Sequence, residues 1–160
     1  MRKQGAAYVV VAFLGLLLFV VPAQAATSVA APNFTLQDLQ GNSFTLNDYA
    51  QRQPIMILFW TTWCPFCRDE LKSIASRHDT LVKDGLKFVA INVGESPGKV
   101  EAFASRYNYP FAVFLDKDSD VALSYDLLGV PTYVLIDRQG SIRTTVHTFP
   151  ESEYKKLIAE

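Results

Sequence analysis

Two cysteines occur in the 160 residues, and they stand three apart in Trp63-Cys64-Pro65-Phe66-Cys67. A thiol pair at this spacing can hold a metal, anchor a haem, form a structural cross-link or cycle between dithiol and disulfide. Zinc needs four ligands. The only further soft donors are His78 and His147, with no paired spacing between them. Covalent haem attachment wants His directly after the second Cys, and Arg68 stands there. A purely structural disulfide would close a very small loop and constrain little of the unfolded chain. The redox reading has a physical basis. Cys64 is expected where a buried strand ends and a helix begins, so free N–H groups and the helix dipole favour its thiolate. Pro65 suits the first helical position, where a missing N–H costs nothing. Cys67 then falls one turn in, more shielded. Cys64 can attack a substrate disulfide, and Cys67 can resolve the mixed disulfide that forms.

Three other positions bear on that chemistry. Glu70 follows Cys67 by three residues, on the flank of an apolar helical stripe, where a half-buried carboxylate is a candidate proton shuttle for Cys67; the plain alternative is a surface Glu near a helix start. Pro131 follows Val130 at the opening of an apolar run, Thr132 to Ile136. A cis bond there would leave the Val130 backbone free to pair with an extended substrate; the plain alternative is a proline tolerated at a strand's first residue. Trp63 is expected to shield the cysteines and touch substrate, whereas Trp60 ends an apolar run and is expected in the core. His78 is expected to pack on its helix face and His147 to lie on an edge strand, neither with a role in the chemistry.

The elements that must hold these residues are legible in order. Asn33 to Asp48 alternates apolar and polar around Gln40-Gly41-Asn42, which predicts a β-hairpin. Ile55 to Trp60 is continuously apolar, as in a strand buried on both faces. A helix is predicted over 65–83, with Leu71, Ile74, Ala75, His78, Leu81 and Val82 at helical spacing and Gly85 to end it. Leu86 to Val93 is a second buried strand. Ser96-Pro97 opens a helix with Ser as cap, carrying Val100, Phe103, Ala104 and Tyr107. Phe111 to Leu115 is predicted as a third central strand, and a short helix follows around Ser119 to Asp126. Thr132 to Ile136 and Ile142 to His147 form an antiparallel pair about the turn Asp137-Arg138-Gln139-Gly140. A last helix begins near Pro150. Hairpin, βαβαβ and ββα together imply an α/β fold, with helices on both faces of one mixed sheet.

The run Phe59 to Glu70, FWTTWCPFCRDE, resembles the active-site segment of the TlpA/ResA group of thioredoxin-like proteins. Gly129-Val130-Pro131-Thr132 resembles their second signature, a loop whose cis-proline faces the cysteines. The resemblance covers roughly residues 32–160. It implies a thioredoxin-like three-layer sandwich with an N-terminal β-hairpin addition. It implies thiol–disulfide exchange through Cys64 and Cys67, with Glu70 as proton shuttle and Trp63, Val130 and Pro131 at the substrate. No cofactor is implied. The implied partners are oxidised client proteins outside the cytoplasm, such as apocytochromes in cytochrome c maturation, and a membrane thiol relay as electron donor. The buried Asp of thioredoxins falls on Leu58, which removes that proton relay and strengthens the case for Glu70. Pro65-Phe66 is similar to the glutaredoxin dipeptide. A thiol peroxidase remains a rival: its Thr-x-x-Cys is met formally by Thr61 to Cys64, but the proline expected four residues before that Thr is Ile57.

Net charge is -1 with no basic block beyond Arg2-Lys3, which argues against nucleic acid, since phosphates demand clustered Lys and Arg. Ala6 to Val21 is uncharged and almost wholly apolar, and Ala23-x-Ala25 is a small-residue pattern that a signal peptidase accepts. Residues 1–25 therefore read as a signal peptide, or else an N-terminal membrane anchor, followed by a short tether at 26–31. Residues 32–160 read as one domain, placed in the periplasm or on the outer face of the cytoplasmic membrane.

Overall fold

A computed structural model describes residues 29–160. The expected export segment, 1–25, and the first part of the expected tether lie outside the described residues. The rest of that tether is not free. Val29–Ala30 forms β1 and pairs antiparallel with Ser141 and Ile142, and the Ala31 N–H donates to the Gly140 carbonyl at 2.9 Å.

The six-stranded sheet is built from β1, β4 (Ile55–Trp60), β5 (Lys87–Val93), β6 (Val113–Asp116), β7 (Thr132–Ile136) and β8 (Ser141–Val146), in the order β1-β8-β7-β4-β5-β6. Its centre is β4, Ile55–Trp60, which is buried along its whole length. It pairs in parallel with β5, Lys87–Val93, and antiparallel with β7, Thr132–Ile136. Neighbours on both sides leave no backbone group of β4 for water, which is why an unbroken apolar run suits it. Alternation along β4 divides the core. Met56, Leu58 and Trp60 join one apolar cluster with α2, Pro65–Lys83, α3, Pro97–Ala104, and α5, Glu151–Ala159. Ile55, Ile57 and Phe59 join a second with α4, Asp120–Ser124, and the hairpin of β2, Thr35–Gln37, and β3, Ser43–Thr45. This is a thioredoxin-like α/β sandwich with helices on both faces.

The helix that carries the cysteines has the predicted bounds, for local reasons. Pro65 starts it. Gly85, at φ +80°, ends it: the Gly85 N–H donates to Val82 O and the Leu86 N–H to Leu81 O, both at 3.0 Å, a Schellman closure. Cys67, Leu71, Ile74 and Leu81 form the fully buried stripe, while Val82 is exposed. His78 packs its ring against Phe111, with centroids 5.7 Å apart.

Two expectations are corrected, and one element is new. The strand predicted at 111–115 is β6, Val113–Asp116, and it lies at the sheet edge rather than at its centre. The hairpin covers that edge through a bridge between Asp38 and Phe114, so β6 is buried without a second strand beside it. Ser96 occupies the cap of α3, but its side chain makes no cap hydrogen bond. A short helix, α1, Asn47–Ala50, closes the hairpin and was not anticipated. β8, Ser141–Val146, has β7 along one side, while β1 on the other reaches only Ser141 and Ile142, so His147 follows the end of β8 that is an edge, as expected.

Candidate active site

The segment 61–64 leaves the C-terminal end of β4 and turns into α2. Cys64 is the N-cap of α2, in extended conformation, and its Sγ accepts from the Cys67 N–H at 3.1 Å. That sulfur therefore sits where the helix presents unpaired N–H groups, the environment that favours a thiolate. Cys64 and Cys67 are joined as a disulfide, with Cα atoms 5.3 Å apart. That spacing lies within the range a disulfide spans. Cys67 is completely buried and Cys64 nearly so.

The loop before β7 faces the pair. The Val130–Pro131 peptide is cis, and the Val130 carbonyl oxygen lies 3.7 Å from Cys64 Sγ. Val130 is half-buried and Pro131 buried. Trp63 is 66% exposed and Phe66 75% exposed, so both flank the disulfide with free ring surface, while Trp60 is fully buried as expected. Beside Cys64 an open groove runs between Trp63, Val130 and the exposed side chains of Leu123 and Leu128.

Glu70 is half-buried, one helical turn beyond Cys67. Its Oε2 accepts from the Tyr133 hydroxyl at 2.7 Å. Leu58, at the position of the thioredoxin Asp, is buried directly opposite Tyr133 in the β4–β7 register. β4 brings no acidic group to the cysteines; Glu70 stands on α2, three residues after Cys67.

Sequence reasoning missed three residues here. Glu95 is buried and grips the chain just ahead of Cys64. It accepts from Thr62 N–H at 2.6 Å, Thr62 Oγ1 at 2.7 Å and Asn92 Nδ2 at 2.8 Å, and pairs with Lys99 Nζ at 2.7 Å. Burial alone would raise its pKa, but the hydrogen bonds from Lys99, Asn92 and Thr62 outweigh it and hold the group below its ordinary 4.5. An acidic residue placed two positions past the end of an apolar strand was the available signal. His147 comes to the proline loop despite its distance in sequence: Nδ1 is 3.0 Å from Pro131 O and 3.2 Å from Thr132 Oγ1. The Thr132 hydroxyl donates to Gly129 O at 2.7 Å, so His147 Nδ1–H is the donor in both contacts. Tyr133 gave no signal, because a Tyr within Thr132–Ile136 reads as core.

A dithiol at a strand-to-helix turn, opposed by a cis-proline loop on a mixed sheet, defines a thioredoxin-fold oxidoreductase. Comparison with known proteins places the chain within that class. The AhpC/TSA family profile matches residues 27–145. The thiol–disulfide oxidoreductase ResA of Bacillus subtilis is 36% identical over 132 residues, which span 80% of this chain and 73% of that protein. ResA of Geobacillus kaustophilus is 33% identical over 121 residues, 76% of this chain and 69% of that one. Among solved structures, a secreted Mycobacterium tuberculosis disulfide oxidoreductase homologous to Escherichia coli DsbE superposes with a TM-score of 0.65 at 28% identity, covering 79% of this chain and 94% of that chain. The chain belongs to the AhpC/TSA family, and within it to the ResA-type thioredoxin-like thiol–disulfide oxidoreductases.

Proposed function

We propose that this oxidoreductase works outside the cytoplasm and reduces disulfides of client proteins, with Cys64 as nucleophile, Cys67 as resolving thiol and Glu70 as proton shuttle. The observation that carries the assignment of roles is Cys64 Sγ at the N-terminus of α2, accepting from the Cys67 N–H. In the reduced protein the Cys64 thiolate attacks one sulfur of a client disulfide. A Cys64–client bond forms, the client S–S bond breaks, and one client sulfur leaves as thiolate. Cys67 then gives its proton to Glu70 and its sulfur attacks Cys64 Sγ. The Cys64–Cys67 disulfide forms, the mixed disulfide breaks, and the second client thiolate leaves and takes up the proton. The client gains two electrons and the protein loses two, to be restored by an external dithiol, which we assign to a membrane thiol relay.

Trp63, Val130 and Pro131 form the substrate platform in this reading. The exposed apolar wall of Leu123 and Leu128 suits a partly unfolded client segment, such as an apocytochrome before haem attachment. The secreted relative supports the location, as does the signal-like sequence at 1–25. A peroxidase reading is disfavoured by Ile57, which takes the place of that family's proline.

The test is reduction of insulin disulfides by dithiothreitol with catalytic protein, alongside equilibration against glutathione. Turnover is expected for the native protein and not for Cys64→Ser. A potential near the thioredoxin end, roughly −270 mV, supports a reductase. One near −120 mV would reverse the direction, and peroxide consumption without insulin reduction would replace the class of acceptor.

A further inference from the structure

We propose that Tyr133 is a positioning residue for the exchange reaction: its hydroxyl holds the Glu70 carboxyl group in one orientation on the face of α2 that carries Cys67. This rests on the reading of Glu70 as proton shuttle and adds what sets that shuttle's geometry.

Tyr133 lies on β7 with its side chain in the same apolar cluster as both cysteines, and it is fully buried. Its ring meets Phe149 edge-on at 6.0 Å and faces Leu58 across the register. Its hydroxyl reaches Glu70 Oε2 at 2.7 Å, across a sequence separation of 63. Burial first, and then the bond to Glu70, push ionisation of the phenol far above its ordinary range. Tyr133 is thus a neutral donor at every pH the protein meets. Two charged groups of α2 bear on it: Glu70 directly and Arg77 at longer range. Arg77 stacks its guanidinium on Phe149 at 4.3 Å and lies 3.9 Å from Glu151 of α5. No group from β4 competes, since Leu58 fills that side.

A fixed donor on one carboxyl oxygen removes rotamer freedom from a long side chain, freedom that a base must not have when it acts.

The experiment follows resolution of the Cys64 mixed disulfide with insulin as a function of pH, by rapid mixing, in the full chain and four variants. Glu70→Gln is expected to flatten the profile and slow exchange by up to ~10²-fold. Tyr133→Phe keeps the ring and removes only the oxygen; it is expected to slow the Glu70-dependent resolution step by roughly tenfold. Glu70→Asp draws the carboxylate back by one methylene, out of reach of the hydroxyl, and is expected to reproduce that slowing should Tyr133→Phe fold poorly. In the double variant with Glu70→Gln, removing the hydroxyl is expected to change nothing further. If Glu70→Gln slows resolution while Tyr133→Phe and Glu70→Asp leave its rate in place, the role of Tyr133 is overturned and the shuttle stands. If Glu70→Gln leaves rate and profile unchanged, both are overturned. A lowered melting temperature for Tyr133→Phe in either background, with no slowing of resolution, marks a packing role and counts against the proposal.

Discussion

Glu95 and Glu70 are two carboxylates treated differently by one site. Glu95 is enclosed and carries four polar contacts, so it stays charged and serves as a clamp on Thr62, two residues from Cys64. Glu70 is half-buried and carries one contact, from Tyr133. The clamp has a pH signature. Its folded-state pKa is below the ordinary 4.5, while the unfolded chain titrates near that ordinary value. The unfolded state therefore takes up a proton first, and the contribution of Glu95 is complete above about 4.5 and is lost as pH falls through the lower folded value. Glu95→Gln is expected to cost about 1–3 kcal/mol near neutrality, because Lys99 and Thr62 lose a charged acceptor. It should also flatten stability against pH below about 4.5 in urea titrations. An unchanged acid limb would show that the clamp is not a charged one.

Strands and helices were legible where neighbouring residues decide them, and not where distant ones do. The continuous run Ile55–Trp60 marks a central strand because both its faces must be apolar. Pro65 and Gly85 bracket α2 because each fits only one backbone state at its position. The cysteine spacing carries its chemistry within one helical turn. By contrast, β6 looked central because its apolar residues are buried, and nothing in those residues says that the burial comes from a hairpin about seventy residues earlier, through the Asp38–Phe114 bridge. Tyr133 and His147 reach the site from β7 and from the end of β8. Their partners are set by sheet register, which the sequence pattern constrains only to the parity of the faces. Glu70 was legible as a candidate because Cys67 stands on the same helix; its hydrogen-bond donor was not.

At the scale of the molecule, the fold divides labour between two faces of one sheet. The cluster that includes both cysteines also includes the C-terminal helix through Tyr154 and Leu157, so the redox pair is built into the main core and not appended to it. The exposed groups, Trp63, Phe66, Leu123 and Leu128, are then available to a partner. The proposed placement outside the cytoplasm predicts a mature chain beginning at Ala26, or an anchored chain with its body outside; N-terminal sequencing of protein from its native host distinguishes these. A full-length product in the cytoplasm would defeat both. The whole account turns on which sulfur attacks. The direct measurement is brief iodoacetamide treatment of the fully reduced protein at neutral pH, followed by mass mapping of the labelled peptide. Carbamidomethylation of Cys64 is the expected result, since its sulfur stands at the N-terminus of α2 and Cys67 is sealed one turn in. Preferential labelling of Cys67 would contradict the assignment of nucleophile and resolving thiol.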